Sequence, residues 1–151
     1  MNLFKKIISF FVFLIAAFFI FFFWASSPIL DKKDYQKLLK NNYVTTINND
    51  SVFNIITYNI GYLSGMTNNL SVKTPKKLYD TNLAKVLQET KRINPDIIAF
   101  QEIDYNAARS YHINQQNEIA KLGYNYVAEA VNWDETYVPF PYWPPSVHFG
   151  K

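Results

Sequence analysis

Apolar and polar positions change period several times along this chain, and each change marks an element. Ile7–Trp24 reads IISFFVFLIAAFFIFFFW, eighteen residues in which Ser9 is the only polar one. No polar face exists at any period, so the segment predicts a helix that is apolar all round, with no partner elsewhere in the chain. At about 1.5 Å per residue it would extend ~27 Å, close to the ~30 Å hydrocarbon core of a bilayer. Pro28–Asn49 is mixed; within it DKKDYQKLLKNN predicts a short helix with Tyr35, Leu38 and Leu39 on one side, and Ile47–Asp50 predicts a turn. VFNIITYNI, Val52–Ile60, is rich in β-branched and aromatic residues and predicts a strand. Its apolar residues fall on both parities, which predicts burial of both faces.

A polar loop leads to LYDTNLAKVLQETKRI, Leu78–Ile93, where Leu83, Val86, Leu87, Thr90 and Ile93 recur at helical spacing. Asn94-Pro95 ends that helix, because the residue before a proline avoids the α region. Asp96–Glu102 predicts a second strand. Asn114–Leu122 predicts a second helix with Ile119 and Leu122 inward and Gly123 as its C-terminal cap. YNYVAEA, Tyr124–Ala130, alternates like a third strand. From Asn132 onward the chain is rich in proline and predicts a loop. Its aromatic residues Trp133, Tyr137, Phe140, Tyr142 and Trp143 suit either a membrane-surface or substrate-binding loop, or a core.

Composition narrows this picture. The chain has no cysteine, which excludes disulfides and cysteine-based zinc sites. Its formal net charge is +3, but Lys5 and Lys6 precede the apolar run and the remaining charges nearly balance, so no basic patch marks a nucleic-acid binder. Lys5 and Lys6 favour a cytoplasmic N-terminus, while Lys32 and Lys33 on the far side are flanked by Asp31 and Asp34. The expectation is a single-pass anchor with the globular part outside the cytoplasm. The alternative is a signal cleaved near ASSP, which would leave a secreted protein; signal cores of about 7–15 residues are shorter than this run. The chain thus divides into an anchor or signal at 1–27, a linker at 28–50 and a globular part at 51–151.

Strand, helix and strand joined by so long a connection form a parallel crossover unit. Parallel strands bring their C-terminal ends to one edge, so Asn59 and Glu102 should approach each other where open α/β sheets bind ligands. An amide oxygen beside a carboxylate suits a hard divalent cation such as Mg²⁺. Without a metal or another partner the carboxylate carries a desolvation cost. The plainer reading is a strand that ends in solvent, with Asn59 satisfying loop backbone groups. Asp104 and Arg109 lie just past the same edge; Arg109 is placed to hold a phosphate oxygen or to lie on a surface loop. His112 reads as a surface or helix-start residue.

TYNIGYLSG, Thr57–Gly65, followed by NPDIIAFQEID, Asn94–Asp104, resembles the endonuclease/exonuclease/phosphatase family. These are metal-dependent phosphoesterases that include DNase I-like nucleases, inositol-phosphate phosphatases and bacterial sphingomyelinases. The resemblance rests on Tyr58-Asn59-Ile60 and Gln101-Glu102. It implies that Glu102 ligates Mg²⁺ or Mn²⁺, that Asn59 is a neighbouring catalytic and metal-site residue, and that Arg109 is a candidate contact to substrate. The implied substrate is a phosphoester, either a phospholipid head group or nucleic acid. The implied fold is α/β, the N-terminal half of a four-layer DNase I-like sandwich behind the transmembrane helix. Family domains need roughly twice the residues that come after Val52. Their later motifs, an Asp-x-Asn carried on a strand and a Ser-Asp-His near the C-terminus, have no counterpart here in those settings; His112 and His148, the two histidines, do not follow Ser-Asp. The expectation is therefore an incomplete and inactive phosphoesterase, the alternative being a non-enzymatic, membrane-tethered binding module.

Overall fold

A computed structural model describes residues 3–45, 51–67, 74–132 and 134–137. Among these, helix α1 (Leu3–Ala25) covers the apolar run and is exposed from Leu3 to Trp24. It is long and apolar enough to cross a membrane, and a signal sequence would have the same character. The expectation of no partner fails at its last turn. Ala25 is buried, its carbonyl accepts from Tyr137 N at 3.0 Å, and the Tyr137 ring meets Phe21 and Trp24. Ser27 and Thr136 extend this contact through Thr136 N to Ser27 O at 3.0 Å and a hydroxyl pair, also at 3.0 Å.

The expected helix in DKKDYQKLLKNN is instead one 3₁₀ turn, Lys32–Asp34, followed by strand β1 (Gln36–Lys40). β1 pairs antiparallel with a strand close to the end of the described residues. The reason is tertiary: the alternating YVAEA segment offers a strand edge, and Lys37 and Leu39 pair with Glu129 and Val127 on its half-buried face. Leu38, expected to face inward, is 88% exposed.

Strand β2 (Ile55–Asn59), helix α2 (Lys76–Ile93) and strand β3 (Ile97–Gln101) form the expected unit, with β2 and β3 adjacent and parallel in the register Asn59↔Gln101. α2 buries Tyr79 completely and Thr90 nearly so, and sets Leu83 and Val86 against Ile60 and Leu63. Tyr79 continues the apolar row one turn towards the N-terminus, whereas Ile93 lies outside it and is exposed. Asn94 closes the helix in the left-handed conformation, its N–H donating to Thr90 O. The expected burial of both faces of β2 is not found. Ile56, Ile98 and Phe100 are half-buried, while Ile55 and Ile97, paired on the other face, are exposed.

Helix α3 (Gln115–Ala120) is shorter than its pattern. Asn114 caps it by accepting from Asn117 N at 2.9 Å, and Gly123 N–H satisfies Ala120 O just beyond it. Ile119 is buried and Leu122 half-buried. Strand β4 (Tyr126–Ala130) is the partner of β1, so the described strands form two two-stranded sheets, β1–β4 and β2–β3. Trp133, Phe140, Tyr142, Trp143 and His148 lie outside the described residues.

Candidate functional site at the parallel strand edge

The ends of β2 and β3 bring Asn59 and Glu102 together. Asn59 Nδ2 donates to Glu102 Oε1 at 3.0 Å, and Asn59 Oδ1 accepts from Gly61 N at 2.9 Å. The Gly61 N–H can only donate, so it orients the amide with its oxygen towards the turn and its nitrogen towards the carboxylate. Asn59 therefore holds Glu102 in place.

Strand alternation alone would not produce this contact. Asn59 pairs with Gln101, so a continuing strand would turn Glu102 to the opposite face. Glu102 instead takes φ 51°, in the left-handed region, which breaks the alternation at that residue. Such a conformation costs on the order of 1 kcal/mol or more in a residue with a side chain, and it concentrates at functional sites. The facing turn is equally unusual: Gly61, Tyr62 and Leu63 have φ of 52°, 54° and 61°. Two backbone bonds hold the pair of turns together, Ile60 N to Gln101 O at 3.1 Å and Tyr62 N to Glu102 O at 2.8 Å. Gln101 turns to the exposed sheet face, donating to Thr57 Oγ1 at 2.9 Å.

Beneath this edge lies a buried polar network. Asp104 is 1% exposed and receives Arg109 through Nε at 2.9 Å and Nη2 at 2.7 Å, a bidentate pair. The Arg109 guanidinium lies 3.6 Å from the centre of the Tyr62 ring, a close cation–π stack. Burial disfavours the Arg109 charge, but the hydrogen bond and attraction to Asp104 outweigh it and hold the group above the usual arginine range. Burial likewise pushes the Tyr62 hydroxyl up; Arg109 opposes this, and Glu102 and Asp104 add to it. Gln115, fully buried, ties the network to the core. Its Oε1 accepts from Asp104 N at 3.0 Å, and its Nε2 donates to Tyr62 O at 3.1 Å and to the Tyr79 hydroxyl at 3.2 Å. Sequence reasoning passed over Tyr62, Gln115 and Tyr79, because their pairing depends on α2, α3 and the edge meeting in space.

Arg109 thus lies beside the edge with its fork committed to Asp104, although its side chain keeps 37% exposure. His112 is exposed and its Nδ1 faces Asn106 O at 3.1 Å. Two Asp-x-Asn triplets do occur, neither on a strand. Asp80–Asn82 lies within α2, where Asp80 pairs with Lys76 and Asn82 donates to Leu63 O. Asp104–Asn106 comes after β3, with Asp104 held by Arg109. Among the described residues no group of three or more His, Cys, Asp or Glu side chains is placed to hold a metal ion. Glu102 with Asn59 is a single carboxylate with an orienting amide. Comparison with family models, with curated proteins and with solved structures returns no match to this chain.

Proposed function

We propose that the chain presents the metal-binding edge of a membrane-anchored, divalent-metal-dependent phosphoester hydrolase of the endonuclease/exonuclease/phosphatase type, on the opening strands of a DNase I-like α/β sandwich. The observation that supports this reading best is the Asn59–Glu102 hydrogen bond across the ends of two parallel strands, made with Glu102 in a left-handed conformation.

The donor set fits Mg²⁺ or Mn²⁺ of the weakly held kind. Mg²⁺ is commonly bound through one or two carboxylates and otherwise keeps its water. Glu102 would supply the carboxylate, and Asn59 would act as the outer partner that fixes its orientation. A bound ion would neutralise the phosphoryl oxygens of an ester. The chain's own residues orient the Glu102 carboxylate through the Asn59 amide and hold the Arg109 cation on Tyr62. With α1 as an anchor and Lys5 and Lys6 in the cytoplasm, the edge meets phospholipid head groups or extracellular nucleic acid. If α1 is cleaved as a signal, the same edge is secreted.

One observation favours the second reading, a tethered module that binds phosphoesters without hydrolysing them. The Arg109 fork is occupied by Asp104, and among the described residues Glu102 belongs to no group of three or more His, Cys, Asp or Glu side chains placed to hold a metal ion. The groups that position water and stabilise phosphoryl charge act with the metal as a unit. The 151-residue chain is therefore expected to bind Mg²⁺ but to turn over sphingomyelin or DNA at most weakly. The test is Mg²⁺ titration by calorimetry, together with hydrolysis of both substrates with Mg²⁺ and with a chelator, on the chain and on its Glu102→Ala variant. Mg²⁺ binding lost in the variant supports the metal site. Metal binding unchanged by the substitution would refute it.

A further inference from the structure

Glu102 owes its direction to a backbone turn, and that turn is strained on both sides of the edge. Glu102 and the facing residues Gly61, Tyr62 and Leu63 all take left-handed φ, between 51° and 61°. Residues with side chains keep such angles only where the surroundings over-determine them. The Asn59–Glu102 hydrogen bond is exposed, and an exposed hydrogen bond contributes little net stability. The restraint has to come from the buried side, and one residue there reaches both turns. Gln115, the first residue of α3, is fully buried. Its backbone N–H donates to Asp104 O at 3.0 Å, and its Oε1 accepts from Asp104 N at 3.0 Å. Its Nε2 donates to Tyr62 O at 3.1 Å, and Tyr62 N in turn donates to Glu102 O at 2.8 Å. These bonds close a ring that runs from Glu102 through Ile103 to Asp104, across the Gln115 amide to Tyr62, and back to the Glu102 carbonyl. The ring fixes the carbonyl end of Glu102. The bond from Ile60 N to Gln101 O at 3.1 Å fixes the strand that leads into its amide end.

We propose that Gln115 is a positioning residue for the parallel edge: from α3 it sets the left-handed turn at Glu102, and so aims the carboxylate at Asn59 and at the place of a bound ion. The part that concerns the ion rests on the reading of Glu102 as a metal ligand; the aim of the carboxylate does not. The chemistry calls for a primary amide of this length. Asp104 N needs an acceptor, Tyr62 O needs a donor, and the second Nε2 hydrogen goes to the Tyr79 hydroxyl at 3.2 Å. Methionine has the length without these groups. Asparagine has the groups but is one methylene too short to bridge both turns. The bond to Tyr79 points away from the edge into the core, so it separates packing from positioning. A side chain that holds a metal-orienting group in place acts on affinity without touching the ion, as partners outside the ligand shell do.

The experiment uses the full chain in detergent micelles and has two readouts. One is the side-chain amide resonance of Asn59 by NMR, identified by its loss in Asn59→Ala; the shift due to the bond with Glu102 is calibrated by Glu102→Ala. The other is Mg²⁺ affinity by calorimetry. Gln115→Met and the milder Gln115→Asn are compared with Tyr79→Phe, which removes the core contact of Gln115 and leaves its bonds to Asp104 and Tyr62. Thermal melting identifies the variants that fold, and Gln115→Asn decides the matter if Gln115→Met does not. In the folded Gln115 variants the Asn59 signal should move to its position in Glu102→Ala, and Mg²⁺ affinity should fall about tenfold. Tyr79→Phe should lower the melting temperature and change neither readout. Folded Gln115 variants with the wild-type Asn59 signal would overturn the proposal. So would a Tyr79→Phe variant that moves the signal as far as they do, because Gln115 would then act through core stability alone. The Asn59 signal needs no metal: a wild-type chain that binds no Mg²⁺ refutes the metal reading alone, and the proposal then stands or falls on that signal.

Discussion

At the residue scale the buried Asp104–Arg109 pair is the point of greatest electrostatic risk. Asp104 has almost no contact with water, and Arg109 supplies two of the hydrogen bonds its carboxylate receives. Removing the cation leaves a buried charge without compensation, which costs about 3–5 kcal/mol when both partners are buried. Arg109 is partly exposed, so Arg109→Ala should fall at the lower end of that range, measured by urea denaturation in detergent. Tyr79 provides a pH handle on the same network. Burial pushes its hydroxyl up to about 12, against an ordinary value of 10.0, with the Gln115 hydrogen bond opposing. Between those values the unfolded chain releases this proton while the folded chain keeps it. The stabilising contribution is thus complete below pH 10 and is lost as the pH rises towards 12. Tyr79→Phe should flatten that part of the stability profile, read from denaturation midpoints over the alkaline range.

At the element scale the ends of the crossover unit decide where the chain turns. Asn94 occupies a left-handed C-terminal cap at φ 48° directly before Pro95. Asparagine and glycine accept this conformation, and alanine does so at a cost of roughly 1 kcal/mol. Asn94→Ala should lower stability by about that amount, and Asn94→Gly should leave it within a few tenths of a kcal/mol. Comparison of the two variants in urea melts separates the backbone effect from loss of the amide. The period of α2, the parallel pairing of β2 with β3 and the stop at Asn94 were all legible in the pattern of Val52–Glu102. β1 was not, because five residues containing two lysines and two leucines fit a helical stripe as well as a strand. Only the edge offered by β4 resolves that choice.

At the scale of the whole molecule, α1 is long and apolar enough to cross a membrane or to serve as a signal sequence. Its exposed face from Leu3 to Trp24 is apolar apart from Lys5, Lys6 and Ser9, and insertion of such a surface is insensitive to ionic screening. The chain should remain with membranes through a high-salt wash and leave them only with detergent. Recovery of a soluble product beginning near Pro28 would show cleavage. Such a product would also lose the Ala25 carbonyl and the Phe21 and Trp24 rings that meet Tyr137, so the 134–137 segment would lose contacts along with the anchor.

Local period and chemistry, read from the sequence alone, determined α1, α2, α3, β2, β3 and β4 and their order, but not β1. An eighteen-residue run without a polar face must be apolar on every side, and a strand–helix–strand pattern must cross over in parallel and bring Asn59 and Glu102 to one edge. Tertiary structure decided the features that depend on distant partners. It placed Glu102 in a left-handed conformation that overrides strand alternation and turns the carboxylate onto Asn59. It committed Arg109 to Asp104 on the Tyr62 ring and drew Gln115 and Tyr79 into the same network. It also set Asp134, from a segment read as loop, against the backbone that follows α1. Those outcomes arise from hydrogen bonds and burial between residues far apart in the chain, which a periodicity confined to neighbouring positions does not encode.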